Sequence, residues 1–350
     1  MRMTGWAWVT VLLWGWSVAA ADLHIASTLS YDSNLYEALH FGQSGMRSRV
    51  SVTAKGIAWR GPKGAIHIEQ QAGFQRLWTT ALGQTQAGDV FVEQFFVHGL
   101  APIGKGQLGI RSGLKLKEAT RVPGEESYLR GSVDGDFAWP FGKWVTSRFR
   151  FGLGGDDSRD VLLPETHYKT AGFDVTYSKQ RNFFLHLRIL RRWIDYNRVA
   201  LRLDNVGQIV PQKDNQADRA SSVTMGFQAF VGMLIQADYA LLRNQSNSFG
   251  YAYWAHRVQS MVVRHVGKGI DAQVFVQFHV RFYDEDVPNL LGGITETDAY
   301  EQSIVVLKLS RQMFTKNTVS GQYGFYRNGA RQGDGFYRKH LFSIVFETKM

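Results

Sequence analysis

The stretch QLGIRSGLKL, residues 107–116, alternates between polar or small side chains and mostly apolar ones, and AQVFVQFHVR, residues 272–281, does the same. Successive side chains of a β-strand point to opposite faces, so each stretch predicts a strand with one apolar and one polar face. Most segments of the chain carry this pattern, and no helical segment remains to cover the apolar faces. The sequence therefore predicts an all-β fold, a single closed antiparallel transmembrane β-barrel whose outer face meets lipid.

The period-two pattern predicts about sixteen strands. Their approximate cores are 23–33, 47–59, 65–77, 89–100, 107–117, 127–138, 144–153, 167–178, 182–193, 221–230, 233–243, 252–264, 271–283, 301–311, 318–327 and 338–347. Barrels of roughly 16 to 18 strands leave an aqueous channel unless a loop or plug enters it. An open channel is thus the default expectation for this chain.

The connections between the predicted strands are alternately short and long. Short, turn-like segments include 60–64, 101–106, 140–143 and 266–269, whereas longer ones include 34–46, 79–88, 154–166 and 284–300. With an even strand count, this predicts short periplasmic turns, long extracellular loops and both termini in the periplasm. The longest predicted connection, 194–220, carries charges of both signs. Two interpretations stay open for it: a constriction folded into the lumen, or a surface that stands outside the barrel.

The first residues have the three parts of a secretory signal peptide. Arg2 gives a positive leader, residues 6–18 are mostly apolar, and Ala19, Ala20 and Ala21 offer small residues for cleavage. An uncleaved anchor is the alternative, but the apolar run is shorter than the roughly 20 residues that span a bilayer. We therefore predict a signal peptide at 1–21 and one outer-membrane β-barrel domain at 22–350. The absence of cysteine from the chain excludes a disulfide framework.

By its signal peptide, its alternating pattern and its rhythm of turns and loops, the mature chain resembles a Gram-negative outer-membrane β-barrel of the porin type. This resemblance implies a location in the outer membrane, with lipid, lipopolysaccharide and the assembly machinery as partners. Tyr31-Asp32-Ser33-Asn34-Leu35-Tyr36 resembles the Y-D-x-N start of barrels in exopolysaccharide export and surface-lipoprotein assembly proteins. The same residues also suit a turn at the end of a strand. Outer-membrane barrels of the porin type usually end on an aromatic residue, whereas this chain continues past Phe346 to Met350.

The polar faces of the predicted strands are rich in basic side chains, which we expect to line the lumen and to set its selectivity. They are Arg49, Lys55, Arg111, Lys115, Arg130, Arg148, Arg150, Arg188, Arg192, Arg257, Arg281 and Lys308. The acidic residues assigned to the same face are fewer: Glu69, Glu93, Asp134, Asp136, Asp174 and Asp238. Strands one, four and sixteen alternate less cleanly, so their facing stays open.

An excess of fixed positive charge in a narrow passage favours anions over cations. The sequence therefore predicts a porin-like channel for passive diffusion of small polar or anionic solutes. Two alternatives remain: a surface or structural barrel with its lumen closed by ion pairs, whose loops bind a partner or polysaccharide, and an export or assembly component. A homo-oligomer is compatible with each. The formal net charge of the chain is +10, and some of its Lys and Arg side chains can bind lipopolysaccharide phosphates on the outer surface instead of a solute.

The sequence predicts neither catalysis nor a cofactor. The ten histidines are scattered, and none has a spacing that brings it next to a defined serine or acid. No His-x-x-x-His pair occurs, and Asp156, Asp157 and Asp160 are too few for a calcium loop. A signal peptide combined with a period of two also argues against nucleic-acid binding.

Overall fold

The computed structural model describes residues 22–33, 44–81, 84–120, 127–158, 164–180, 182–285, 303–328 and 337–350. These residues form a closed barrel of sixteen antiparallel strands, in which each strand pairs with its neighbours in the chain. The strands are β1 (Asp22–Asp32), β2 (Gly45–Gly61), β3 (Gly64–Ala81), β4 (Gln84–Ile103), β5 (Gly106–Thr120), β6 (Tyr128–Phe141), β7 (Val145–Ser158), β8 (Thr166–Gln180), β9 (Phe183–Leu203), β10 (Ile209–Phe230), β11 (Leu234–Ser246), β12 (Tyr253–Gly267), β13 (Ile270–Tyr283), β14 (Ser303–Phe314), β15 (Asn317–Asn328) and β16 (Tyr337–Lys349). The predicted fold and strand count are confirmed, while the predicted signal peptide lies outside the described residues.

Pairing of the first strand with the last closes the barrel. The β1–β16 ladder runs from His24 opposite Lys349 to Asp32 opposite Leu341. Because β1 also pairs with β2 along its whole length, the sheet has no open edge at this seam. Closure matters because lipid offers no hydrogen-bond partner to an unpaired backbone group. The described residues include no helix with the length and apolar character needed to cross a membrane.

The register separates the two faces of the wall. Residues directly opposite each other on paired strands share a face. Phe173 pairs with Phe149 and Ile189, and Phe149 and Ile189 are exposed. The next residue of β8, Asp174, pairs instead with Arg148 and Arg188. Large exposed apolar side chains thus cover the outer face, and charged side chains cover the inner face.

The connections at the two ends of the barrel differ as expected. The end that carries both termini, here called the turn end, has tight connections such as the one between β12 and β13. There Lys268 has φ 53° and Gly269 has φ 70°, between paired residues Gly267 and Ile270. Positive φ at both central positions is the type I′ geometry that matches the twist of a two-residue hairpin. The opposite end, here called the loop end, carries most of the longer connections. The predicted long connection at 79–88 is wrong, because β3 continues to Ala81 and β4 begins opposite it at Gln84.

The predicted 194–220 connection is wrong, because most of it is strand. β9 continues to Leu203 and β10 begins at Ile209, so only residues 204–208 connect them. β8 begins at Thr166, so its pairing with β9 extends no further than Tyr196. β11 ends at Ser246, so its pairing with β10 extends no further than Asp218. Beyond these points β9 and β10 pair only with each other, and we call this part, residues 197–217, the hairpin extension. Neither of its faces must meet lipid, so its sequence lacks the alternation that marks the other strands.

The hairpin extension is secured by the connection between β11 and β12. β10 has register shifts between Pro211 and Ala217. Asn247 fits this irregular stretch: its Oδ1 accepts the Ala217 N–H at 2.8 Å, and its Nδ2 donates to the Asn215 carbonyl at 2.9 Å. Nearby, the Phe249 N–H donates to the Leu201 carbonyl at 2.9 Å. The loop therefore supplies partners for backbone groups that the bulged ladder leaves unpaired.

We expect Asn247→Ala to loosen the hairpin extension while the barrel stays intact. The substitution leaves the Ala217 N–H and the Asn215 carbonyl without these partners, which costs about 1–3 kcal/mol of local stability. Limited trypsin digestion of the folded protein should then cut faster after Arg202 and Lys213. Gln245→Ala, at an exposed residue two positions earlier, is the control and should digest like the wild type. Equal digestion rates for Asn247→Ala and wild type would contradict this role.

The structure also corrects the position of one acidic residue. Glu93 pairs with Ala72 and Leu116 on the outer face, where Gln70 Nε2 donates to its carboxylate at 3.2 Å. It therefore does not belong to the acidic set of the inner wall. The reason is that β4 is apolar on both faces at this height: Val90 and Val92 point inward and pack with Leu77. Such a strand gives no alternation from which its facing can be deduced.

Candidate functional site: the inner wall of the barrel

All the basic residues singled out from the sequence lie at inner-face register positions. They form two groups that differ in their partners. The first group is ion-paired: Lys55, Arg130, Arg148, Arg150 and Arg188. The second group consists of Arg49, Arg111, Lys115, Arg192, Arg257, Arg281 and Lys308, which are described below.

The ion-paired group is concentrated on β6 to β9. Asp174 is buried and contacts both Arg150 and Arg188, the latter through Nε at 2.8 Å. Arg148 reaches Asp136 at 3.4 Å. Arg130 binds Asp156 with two parallel hydrogen bonds, from Nε at 2.5 Å and from Nη2 at 2.8 Å. Along this stretch, neighbouring strands thus place opposite charges beside each other, and the charges largely cancel.

Lys55 and Glu69 form a further pair at the β2–β3 boundary. Their Nζ and Oε1 atoms are 3.2 Å apart. The two residues are direct cross-strand neighbours, as the alternation of the two strands predicts. This pair also adds no net charge to the wall.

Four members of the second group lie over aromatic rings. The distance from the charged group to the ring centroid is 4.1 Å for Arg111 over Phe96, 4.0 Å for Arg192 over Tyr168, 4.2 Å for Arg281 over Tyr253 and 5.2 Å for Lys115 over Tyr128. A ring face attracts a cation but carries no net charge. Stacking therefore fixes the position of these side chains, and Arg111 in addition lies directly opposite Asp134 of β6.

Arg49, Arg257 and Lys308 have polar or small cross-strand neighbours. Arg49 stands between Thr28 and Gln75, and Lys308 stands between Gln273 and Gln322. Arg257 stands between Ala240 and His279. Within the part of the chain that the structure describes, none of the three forms an ion pair. Their positive charge is thus available to a solute on the inner wall.

An acidic residue at the seam was not recognised as part of the wall from the sequence. Asp32 is completely buried, forms an ion pair with Arg47 of β2 and lies 4.0 Å from Nζ of Lys339 on β16. It belongs to the Tyr31-Asp32 motif, whose remaining residues from Asn34 onward lie outside the described residues. The structure places Asp32 at the end of β1, where its carboxylate joins both neighbouring strands. The mixed alternation of β1 and β16 concealed this inward position.

Glycines on the inner wall let side chains of flanking strands meet across the strand between them. His186 on β9 and Asp238 on β11 are both cross-strand neighbours of Gly226 on β10. The His186 Nε2 and Asp238 Oδ1 atoms are nevertheless 3.0 Å apart. A Cβ atom at position 226 would collide with Asp238, and it would lie 2.7 Å from His186 Cε1. The missing side chain of Gly226 is therefore what makes the contact possible.

Three further histidines have a tyrosine or an aspartate as hydrogen-bond or ion-pair partner. His256 Nδ1 is 2.7 Å from the Tyr239 hydroxyl, and His340 Nδ1 is 2.8 Å from that of Tyr323. His265 lies 3.0 Å from Asp271. Across the described ranges, no group of three or more histidine, aspartate or glutamate side chains is arranged to hold a metal ion.

We expect Gly226→Ala to destabilise the barrel by about 1–3 kcal/mol, because the added methyl must displace Asp238 or His186. The matched control is Gly321→Ala, since a Cβ there meets nothing within 4 Å. The temperature at which the folded electrophoretic band converts to the unfolded band measures the difference. It should fall for Gly226→Ala and stay near the wild-type value for Gly321→Ala. Equal conversion temperatures for all three proteins would be inconsistent with the crowding described here.

No protein-family model matches the chain, and no curated protein sequence matches it. Solved barrels do match the fold. An anion-selective porin from Comamonas acidovorans superposes with a TM-score of 0.53 at 10% identity, covering 95% of this chain and 99% of the porin. Salmonella typhi OmpF, solved as a complex with daunomycin, superposes with a TM-score of 0.52 at 8% identity, covering 93% and 97%. The chain therefore shares the closed β-barrel fold of these porins.

Proposed function

We propose that the protein is a passive outer-membrane pore that favours small anionic or polar solutes. The observation that carries the proposal is that three inner-wall cations, Arg49, Arg257 and Lys308, form no ion pair with a residue that the structure describes. A pore of this kind needs no chemical step and no cofactor. Solutes would diffuse through water, and the wall charge would bias which ions enter.

The division of the wall into two groups supports the preference for anions. Paired charges such as Arg130 with Asp156 produce a field that falls off quickly, because the two signs cancel beyond a few ångströms. Arg49, Arg257 and Lys308, which form no ion pair among the described residues, keep their field across the passage. In a narrow space with low-dielectric walls, that field raises the local concentration of anions.

The size and fold of the barrel support a passage. Sixteen strands enclose more space than their own side chains fill unless a segment enters from the ends. Among barrels of the same fold, the porin from Comamonas acidovorans is described as anion-selective. The competing interpretations, a closed surface barrel and an export or assembly component, predict no spontaneous conductance.

Reconstitution of the purified protein in planar lipid bilayers tests the proposal. We expect stepwise conductance at neutral pH and, under a salt gradient, a reversal potential on the anion-selective side. Insertion without conductance would exclude the pore and favour the closed surface barrel. Heat-denatured protein, prepared in the same detergent, is the control for leakage.

Charge reversal distinguishes the two groups of basic residues. The triple variant Arg49→Glu, Arg257→Glu and Lys308→Glu should move the reversal potential toward cation selectivity, because it inverts charge that nothing cancels. The double variant Lys55→Gln and Glu69→Gln removes a paired charge of each sign, so its reversal potential should stay at the wild-type value. Both variants are compared in the same salt gradient.

Reversing the paired residues Arg148 and Arg150 together with the stacked Arg281 should also act, because it removes cations that stand beside acids. Arg148→Glu, Arg150→Glu and Arg281→Glu together should shift the reversal potential in the same direction as the first triple variant. Asp136 would then lose its partner Arg148, and Asp174 would keep only Arg188, so both carboxylates would add to the negative field. An unchanged reversal potential in both triple variants would show that the inner-wall charges do not select ions.

A further inference from the structure

Three basic side chains surround a tryptophan on the outer face of the barrel. Lys169 on β8 and Arg219 on β10 are the two cross-strand neighbours of Trp193 on β9. Arg191 lies on the same face, two residues from Trp193 toward the turn end. Its guanidinium carbon is 5.3 Å from the centre of the indole ring. We call this group, Lys169, Arg191, Trp193 and Arg219, the outer basic cluster.

The charges of the outer basic cluster are exposed and not neutralised. Lys169, Arg191 and Arg219 are each exposed, and none forms an ion pair with a residue that the structure describes. Lys169, Trp193 and Arg219 line a surface cleft of about 450 Å³, together with Asp195, Ala217 and Asp218. Asp195 is the acidic side chain on the outer face there, since Asp218 belongs to the inner face. The cleft therefore presents more positive than negative charge.

A nearby arginine provides a contrast. Arg243 shares the cross-strand row of Arg191 and Ser221, and it binds both oxygens of Asp284 at 2.6 Å. This hydrogen bonding keeps the pKa of Asp284 below its ordinary value, so the carboxylate stays charged at neutral pH and cancels Arg243. Among the described residues, no acid binds Lys169, Arg191 or Arg219 in this way, and Asp195 offsets only part of their charge, so the cluster can take a partner from outside the chain.

The cluster lies where the apolar band of the outer face ends. The next row toward the turn end is Phe173, Ile189 and Val223, and the row after it is Val175, Leu187 and Met225. Tryptophan is typical of the interface between hydrocarbon and headgroups. The cluster thus stands at headgroup height at the loop end, which faces the outer leaflet, directly above a surface that suits acyl chains.

We propose that the outer basic cluster binds the phosphate of a lipid in the outer leaflet, of the lipopolysaccharide class. Lys169, Arg191 and Arg219 would donate charge-assisted hydrogen bonds to the phosphate oxygens, and the acyl chains would lie along Ile189 and Leu187. Arginine is well suited to a phosphate because its donors are arranged as a planar fork. The site lies on the outside of the wall, so this inference does not depend on the proposed pore.

Binding of lipid A to the purified full-length barrel, measured by native mass spectrometry in detergent, tests the proposal. The variant Lys169→Gln, Arg191→Gln and Arg219→Gln should lower the affinity for lipid A at least about tenfold, since each lost charge-assisted hydrogen bond can weaken binding by that order. Asp195→Asn removes the one repelling carboxylate and should raise the affinity. Arg264→Gln is the matched control, because Arg264 is an exposed outer-face arginine near the turn end, opposite Ala272, and its loss should change nothing.

The ligand arms separate the possible sources of phosphate. Lipid A without its phosphates should bind the wild type as weakly as intact lipid A binds the triple variant. Inorganic phosphate at millimolar concentration should not displace lipid A; displacement would overturn the lipid assignment in favour of a site for free anions. Wild-type affinity in the triple variant would overturn the proposal altogether.

Two readouts keep the result interpretable. The triple variant should show the wild-type conversion from folded to unfolded band on heating, which demonstrates that it folds. Its conductance and reversal potential should also match the wild type, since the substituted side chains lie outside the passage. A loss of lipid binding with unchanged conductance would support this site while leaving the pore to its own test.

Discussion

Complete pairing of the backbone is the constraint on which the rest of this structure depends. In hydrocarbon, each unpaired N–H or C=O group costs several kcal/mol, so a sheet that crosses a membrane must close on itself. Here the closure is the ladder between β1 and β16, which begins only a few residues from the C-terminus. Asp32 strengthens that seam on the inside by contacting Arg47 and lying near Lys339, one residue from each neighbouring strand. Once the sheet is closed, every strand has one face toward lipid and one toward the interior.

The interior shows how a polar wall accommodates many charges. On β6 to β9 the register places carboxylates between arginines, and glycines provide space for side chains to meet across an intervening strand. Elsewhere the cations lie on aromatic rings or among neutral residues. This uneven compensation gives the wall an electrostatic character that composition alone does not reveal. It is the basis on which we propose a preference for anions.

The outer face shows the same separation between compensated and uncompensated charge. Arg243 is neutralised by Asp284, whereas Arg191, in the same cross-strand row, forms no ion pair with a residue that the structure describes. Both lie near the loop-end boundary of the apolar band. We therefore propose different partners for the charges inside and outside the wall, a solute in one case and a membrane lipid in the other. The net charge of the chain includes both populations, so it cannot be interpreted as a property of the passage alone.

The sequence by itself determined that the chain forms a closed barrel, how many strands it has, and which residues of the regular strands face inward. It could do so because lipid on one side and polar surroundings on the other impose a period of two on every strand that crosses the membrane. The pattern did not predict the facing of Glu93, because β4 is apolar on both faces there. It did not predict the strands within residues 194–220, because a hairpin beyond the barrel has no lipid-facing side. Only the tertiary structure decided which charges are neutralised, since a partner such as Asp174 for Arg188, or Asp284 for Arg243, comes from another strand or loop through a register that no local pattern encodes.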